Sequence, residues 1–162
     1  MQLAAIVLAA GLMTGLNADK DAPRLMGVHL EMSKTGVHAA LSRTATFKSE
    51  DENQEVWLLK SDTSVRSVIV GYAPDNHVRY ITAFARAGGK ALACAPLGNI
   101  RNAKVAGAQG DYVYSRSWKE HGDEFLATAR GSVGHLTMCS VKKVGVGIEN
   151  EEEEHEAHKT PR

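Results

Sequence analysis

An excess of one charge is the first thing this chain lacks. Its 162 residues hold 19 Lys and Arg against 19 Asp and Glu. The balance is uneven, because residues 149–162 carry six Glu against Lys159 and Arg162, a net −4 that leaves +4 on residues 1–148. The basic residues of that longer part do not cluster, so no nucleic-acid footprint follows. Cysteine is scarce as well. The two present, Cys94 and Cys139, form no C-x-x-C, which excludes the usual metal-knuckle and dithiol redox patterns. Long hydrophobic runs are missing too. The most apolar stretch, Met1 to Leu16, falls short of the ~20 residues a membrane-spanning helix needs. No transmembrane span is expected.

Catalytic signatures are also absent. There is no G-x-S-x-G elbow and no local Cys–His motif, so nucleophilic catalysis has no support in the sequence. Gly107-Ala108-Gln109-Gly110 and Gly145-Val146-Gly147 lack the spacing that cradles a phosphate and read as turns or linker. Asp123 and Glu124 are neighbours, and neighbours on a strand face opposite ways, so they make a poor carboxylate pair. His155-Glu156-Ala157-His158 offers two imidazoles without the H-E-x-x-H spacing of a zinc helix. It reads either as a loose metal chelate or as part of a solvated acidic tail. No catalytic residue, cofactor or metal site is expected.

What is present is a strong ribbon. Ser64 to Arg86 reads as two strands around the turn Ala73-Pro74-Asp75-Asn76-His77, where Pro74 presets φ and Asn76 tolerates a left-handed backbone. Period-two alternation places Val68, Val70 and Tyr72 on one face, and after the turn sets Val78, Tyr80 and Phe84 against Arg79, Ile81 and Ala83. A two-stranded ribbon is marginal alone, so further strands or a helix must cover it. Upstream, Ser33 is a good helix cap, and Met32 and Val37 occupy the positions of a hydrophobic staple. Val37, Ala40 and Leu41 then give a helix of two to three turns its apolar stripe. Gly36 in its first turn costs about 1 kcal/mol of propensity.

The remaining segments follow the same rules. Ser42 to Gln54 is polar and reads as a loop, whereas Glu55 to Lys60, with Trp57 as anchor, reads as a strand. Gly88-Gly89 suits a hairpin turn before a strand at Lys90 to Cys94. Pro96 to Gly107 reads as a short helix capped by Asn99. Tyr112 to Trp118, Phe125 to Ala129 and Leu136 to Val141 read as strands. The expected fold class is α+β: a short N-terminal helix, with a second short helix, packed on a mainly antiparallel β-meander.

Met1 to Leu16 has the length of a signal-peptide core, and Ala18 offers a small residue for cleavage before Asp19. No Lys or Arg precedes the run, and the other reading is a buried N-terminal helix. Three regions result: an export signal at 1–18, one domain at 19–148, and a disordered acidic tail at 149–162. The expected location is secreted or periplasmic. There Cys94 and Cys139 could close a bridge; the other reading is two separate buried thiols. Tyr112, Tyr114, Arg116 and Trp118 share one strand face and are types enriched at binding hot spots. They read either as a binding surface or as core aromatics with Arg116 at their edge.

Gly27, Met32, Ser33, Val37 and Leu41, then Val56-Trp57, then Val68, Val70, Gly71, Tyr72, Asp75, Val78 and Ile81 form a pattern over about a third of the chain. This pattern resembles the small outer-membrane-assembly lipoproteins of SmpA/OmlA type, whose fold is shared by proteinaceous β-lactamase inhibitors. The lipid-attachment cysteine of that family is missing, and Ser42 and Arg43 replace its usual Gly and Pro. The resemblance implies a non-enzymatic scaffold or binding role at a cell envelope, with another envelope protein as partner. The competing reading is a small hydrolase or ligand-binding protein whose site gathers His121, Asp123 and His135.

Overall fold

The computed structural model describes residues 22–145. The segments read as an export signal, residues 1–18, and as an acidic tail, residues 149–162, lie outside the described residues. The described chain opens with a small hairpin, β1 (Arg24–Leu25) and β2 (Val28–His29), turned by Met26 and Gly27 at φ of 56° and 80°. One helix follows, α1 (Lys34–Leu41). Then come β3 (Ala45–Asp51), β4 (Gln54–Leu59), β5 (Val65–Tyr72) and β6 (Val78–Ala85). After two single 3-10 turns, Ala95–Leu97 and Ile100–Asn102, the chain forms β7 (Lys104–Ala108), β8 (Asp111–Glu120), β9 (Asp123–Ser132) and β10 (His135–Val144). The last eight strands make one antiparallel sheet in the order β3-β4-β5-β6-β10-β9-β8-β7. It is two meanders joined through their final strands.

The α+β expectation is therefore corrected: the fold is mainly β. Pro96 to Gly107 is not a helix, because Pro96 and Gly98 (φ 69°) allow only 3-10 turns and the chain then extends into β7. Ser42 to Gln54 is not a loop but contains β3, a sheet edge whose residues after Ala45 are all exposed. An edge strand wet on both faces carries no hydrophobic alternation, which is why its sequence reads as loop.

One face of the sheet holds the core. Rows of paired residues cross it: Trp57, Val68, Ala83, Cys139, Ala129 and Tyr114, and beside them Glu55, Val70, Ile81, Val141 and Ala127. All of them are buried. Alanine at 83, 127 and 129 lowers the floor, and Leu25, Val28, Leu30, Val37, Leu41 and Leu97 fill the space above it. The N-terminal hairpin, α1 and the first 3-10 turn are thus the roof. Cys94 in that roof is bonded to Cys139 in the floor.

The ribbon of Ser64 to Arg86 forms as its sequence implies, with one change of face. Tyr72 pairs with Val78 but Gly71 pairs with Tyr80, so Arg79 is an inserted bulge residue. A bulge shifts the alternation by one. Val78 therefore joins Ile81 and Ala83 in the core, and Tyr80 and Phe84 pass to the other face. There Tyr80 crosses Gly71 and its hydroxyl donates to Gln54 Oε1 at 2.8 Å. A Cβ on Gly71 would fall inside that ring. We expect Gly71→Ala to cost about 1–2 kcal/mol, and much less when Tyr80 is already alanine. Urea unfolding of the two single variants and the double variant reads this coupling; equal costs in both backgrounds would contradict the contact.

Candidate functional site

Helix α1 begins as its sequence requires. Ser33 Oγ accepts from the Gly36 N–H at 3.2 Å, and Met32 packs beside Gly36, where a Cβ would meet Met32 Cγ at 2.9 Å. The glycine that weakens the helix leaves room for the Met32 side chain. Positions 34 and 38 then lie one turn apart on the same side, and both side chains reach one carboxylate.

That carboxylate is Glu55, fully buried on the core face of β4 between Trp57 and the sheet edge. His38 Nε2 donates to its Oε1 at 2.7 Å. Trp57 Nε1 donates to Oε2 at 3.1 Å, and the Tyr72 hydroxyl donates to the same oxygen at 2.7 Å. Lys34 Nζ stands 3.5 Å from Oε1, 2.6 Å from Glu50 Oε1, and 5.4 Å from the centre of the Tyr72 ring. Burial pushes the Glu55 carboxyl up, but hydrogen bonds from His38, Tyr72 and Trp57 outweigh it and hold the carboxyl below its ordinary range. Burial and the same carboxylate push the Tyr72 hydroxyl far up. An ionised carboxylate can only accept, so Nε2 of His38 carries the proton.

Above this buried group the surface is aromatic. The His38 ring is 46 % exposed and meets the edge of Trp57 at 4.9 Å, while Phe47 on β3, 44 % exposed, lies 5.4 Å from Trp57. Chemically the arrangement clamps α1 to β4 and β5: each Glu55 oxygen is engaged and its Tyr and Trp donors are buried. The sequence holds one signal of it. Glu55 alternates in phase with Trp57 and Leu59, and an acidic residue on an apolar strand face must find donors.

The second feature is the sheet's other face. Its middle row runs Val56, Ile69, Thr82, Ser140, Thr128 and Ser115. A flanking row runs Leu58, Ser67, Phe84, Met138, Arg130 and Val113. Thr82 and Ser140 hydroxyls are bonded at 2.8 Å. Ile69, Phe84, Met138 and Leu126 are half-buried although central in the sheet, and Leu58 and Val113 are 39 % and 41 % exposed. The roofing elements all lie on the opposite side, so among the described residues this face has no cover.

Tyr112, Tyr114, Arg116 and Trp118 do share one face of β8, the core side. Tyr114 is buried, Tyr112 and Trp118 are packed against the core's margin, and Arg116 is exposed with its guanidinium 5.2 Å from the Trp118 ring centre. Trp118 stacks on Phe125 at 5.6 Å. The set is part core and part rim. His121, Asp123 and His135 are not brought together. His121 lies in the turn before β9 and Asp123 begins that strand, whereas His135 faces Ser132 at its far end, nine residue steps from Asp123 or about 30 Å away. Asp123 is instead paired with Lys143 at 2.9 Å, which also holds Glu31 at 2.8 Å.

Among the described residues no group of three or more His, Cys, Asp or Glu side chains could hold a metal, and no helix is long and apolar enough to cross a membrane. His155 and His158 lie outside the described residues. Two shallow clefts, of about 270 and 320 Å³, flank Leu136. One is lined by Arg86 to Ala91 with His135, the other by Leu92, Cys94, Leu97 and Ile100, and neither reaches Glu55. Compared with protein-family models, characterised proteins and solved structures, the chain matches none.

Proposed function

We propose that this chain is an exported, non-enzymatic binding module that holds another protein of the cell envelope against its uncovered sheet face. One observation carries the reading: Leu58, Val56, Ile69, Phe84 and Met138 form an apolar strip across β4, β5, β6 and β10, bordered by the Thr82 and Ser140 hydroxyls, with no described element above it. An apolar strip that no part of the fold covers marks interaction sites in soluble proteins. The Cys94–Cys139 bond fits an oxidising compartment. The resemblance of Gly27–Leu41 and the central ribbon to envelope-assembly lipoproteins favours the same place and the same non-catalytic role.

The test places a photo-crosslinking amino acid at Phe84 in the full chain, expressed in cells with an envelope. We expect one adduct, identified by peptide mapping as a single envelope protein, and its loss in an Ile69→Glu background that keeps its circular dichroism. The mature protein should begin at Asp19. The reading is overturned by no adduct at Phe84, or by the same adducts when the label sits at exposed Lys90.

A further inference from the structure

A sheet with two ends has two edges, and this one guards them unequally. The β3 edge carries a bulge between Phe47 and Ser49 and three charges, Lys48, Glu50 and Asp51. Bulges and charges are the usual means of preventing strands from adding to an edge. The β7 edge has no bulge and a single charge. Lys104, Val105, Ala106, Gly107 and Ala108 pair with β8 in unbroken register, all are exposed, and the one charge sits at the strand's first residue.

The hairpin geometry shows which backbone groups are free. Gln109 and Gly110, at φ of 56° and 87°, form a two-residue loop between Ala108 and Asp111. Such a loop makes its flanking pair the hydrogen-bonded one, and the bonding then alternates along the ladder. By that alternation Ala108, Ala106 and Lys104 are the positions that bond to β8, and Val105 and Gly107 those whose N–H and C=O face outward; Gly107, at φ 109°, departs from extended backbone there. These two residues lie symmetrically about Ala106.

We propose that β7 is a self-association site, pairing antiparallel with β7 of a second copy about a two-fold axis through Ala106. Val105 of each copy then bonds Gly107 of the other, its methyl groups over a residue with no side chain to oppose them. Ala106 meets its own counterpart, and Lys104 meets the uncharged Ala108. An isologous contact sets each axial residue against itself, so a charge there would repel. The same construction on β3 would centre on Lys48 and set lysine against lysine. A second copy is therefore the occupant that β7 suits and β3 refuses. Five residues of strand bury less than the ~1,200 Å² of the smallest standard interfaces, so the dimer is weak and concentration-dependent. It uses a different surface from the proposed partner face and leaves that face open.

The test is sedimentation of the full chain from micromolar to millimolar concentration, with disulfide trapping. The expected result is a rising dimer fraction and a cross-linked dimer of Ala106→Cys under mild oxidation. Lys104→Cys alone should not link, since the two positions stand roughly 13 Å apart along the strands, but mixed with Ala108→Cys it should. Val105→Pro removes an outward N–H without touching the β8 ladder, so it should keep its melting temperature and sediment as monomer. Should that variant fail to fold, Ala106→Lys, which alters no backbone group, should be monomeric instead. A monomer at every concentration overturns the proposal, as does equal trapping through Lys104→Cys alone or persistent dimer in Ala106→Lys. Failure of the Phe84 crosslink would leave all of these outcomes unchanged.

Discussion

Replacing Cys94 and Cys139 together with alanine should lower the stability of this domain by roughly 4 kcal/mol, the chain-entropy value for a loop closed over 45 residues. For a domain of this size that corresponds to a melting temperature about 12–16 °C lower. The physical reason is the place of the bond. Cys139 lies fully buried between Ala83 and Ala129 on the sheet floor, and Cys94 belongs to the segment that roofs it. That segment has little regular structure: two 3-10 turns, with Leu92 and Leu97 as its buried anchors. Without the bond it must be held by those side chains alone, so the loss should be both global and local. Thermal melts with and without reductant measure the first, and amide exchange over residues 90–103 the second. A melting temperature indifferent to reductant would contradict this account.

The second large effect is at Glu55. Glu55→Gln keeps the shape but presents an amide to donors that need an acceptor, leaving His38, Trp57 and Tyr72 to compete for one oxygen. Breaking a buried charged network by removing one member costs about 3–5 kcal/mol, here a fall of at least about 10 °C in melting temperature. Tyr72→Phe removes a single donor and should cost about 1 kcal/mol. The carboxyl is held below its ordinary value in the folded state. Its contribution is therefore complete above the ordinary glutamate range and is lost as pH falls through that range and below it. The gap between wild type and Glu55→Gln should accordingly be widest at neutral pH and shrink at about pH 3. A gap independent of pH would mean that Glu55 is not ionised in the folded protein.

Much of the architecture could be read from the chain because it rests on local rules. The ribbon of β5 and β6, the cap at Ser33 and the β8 alternation each depend on residues close in sequence. What could not be read depends on position within the finished sheet. β3 is a strand only because β4 lies beside it, and its exposed residues have no periodicity to betray it. One bulge at Arg79 sent Tyr80 and Phe84 to the face opposite the one their spacing implies. The Glu55 cluster joins residues 17 apart on both sides, His38 before it and Tyr72 after it. No motif announces such a cluster, although its inward phase with Trp57 was visible. Equally, nothing in the composition says that one side of an eight-stranded sheet is roofed and the other is not.

The seam between β6 and β10 has a consequence for the order of events in folding. Each meander is made of consecutive strands, but Thr82 and Ser140, bonded across the seam, are 58 residues apart. Local contacts form early and distant ones late. On a growing polypeptide β6 is complete about 50 residues before β10 begins, several seconds at ordinary synthesis rates. Throughout that interval β6 stands as a bare outer strand, where a neighbouring nascent chain could zip on. The newborn protein is therefore most vulnerable at the line that later becomes its centre.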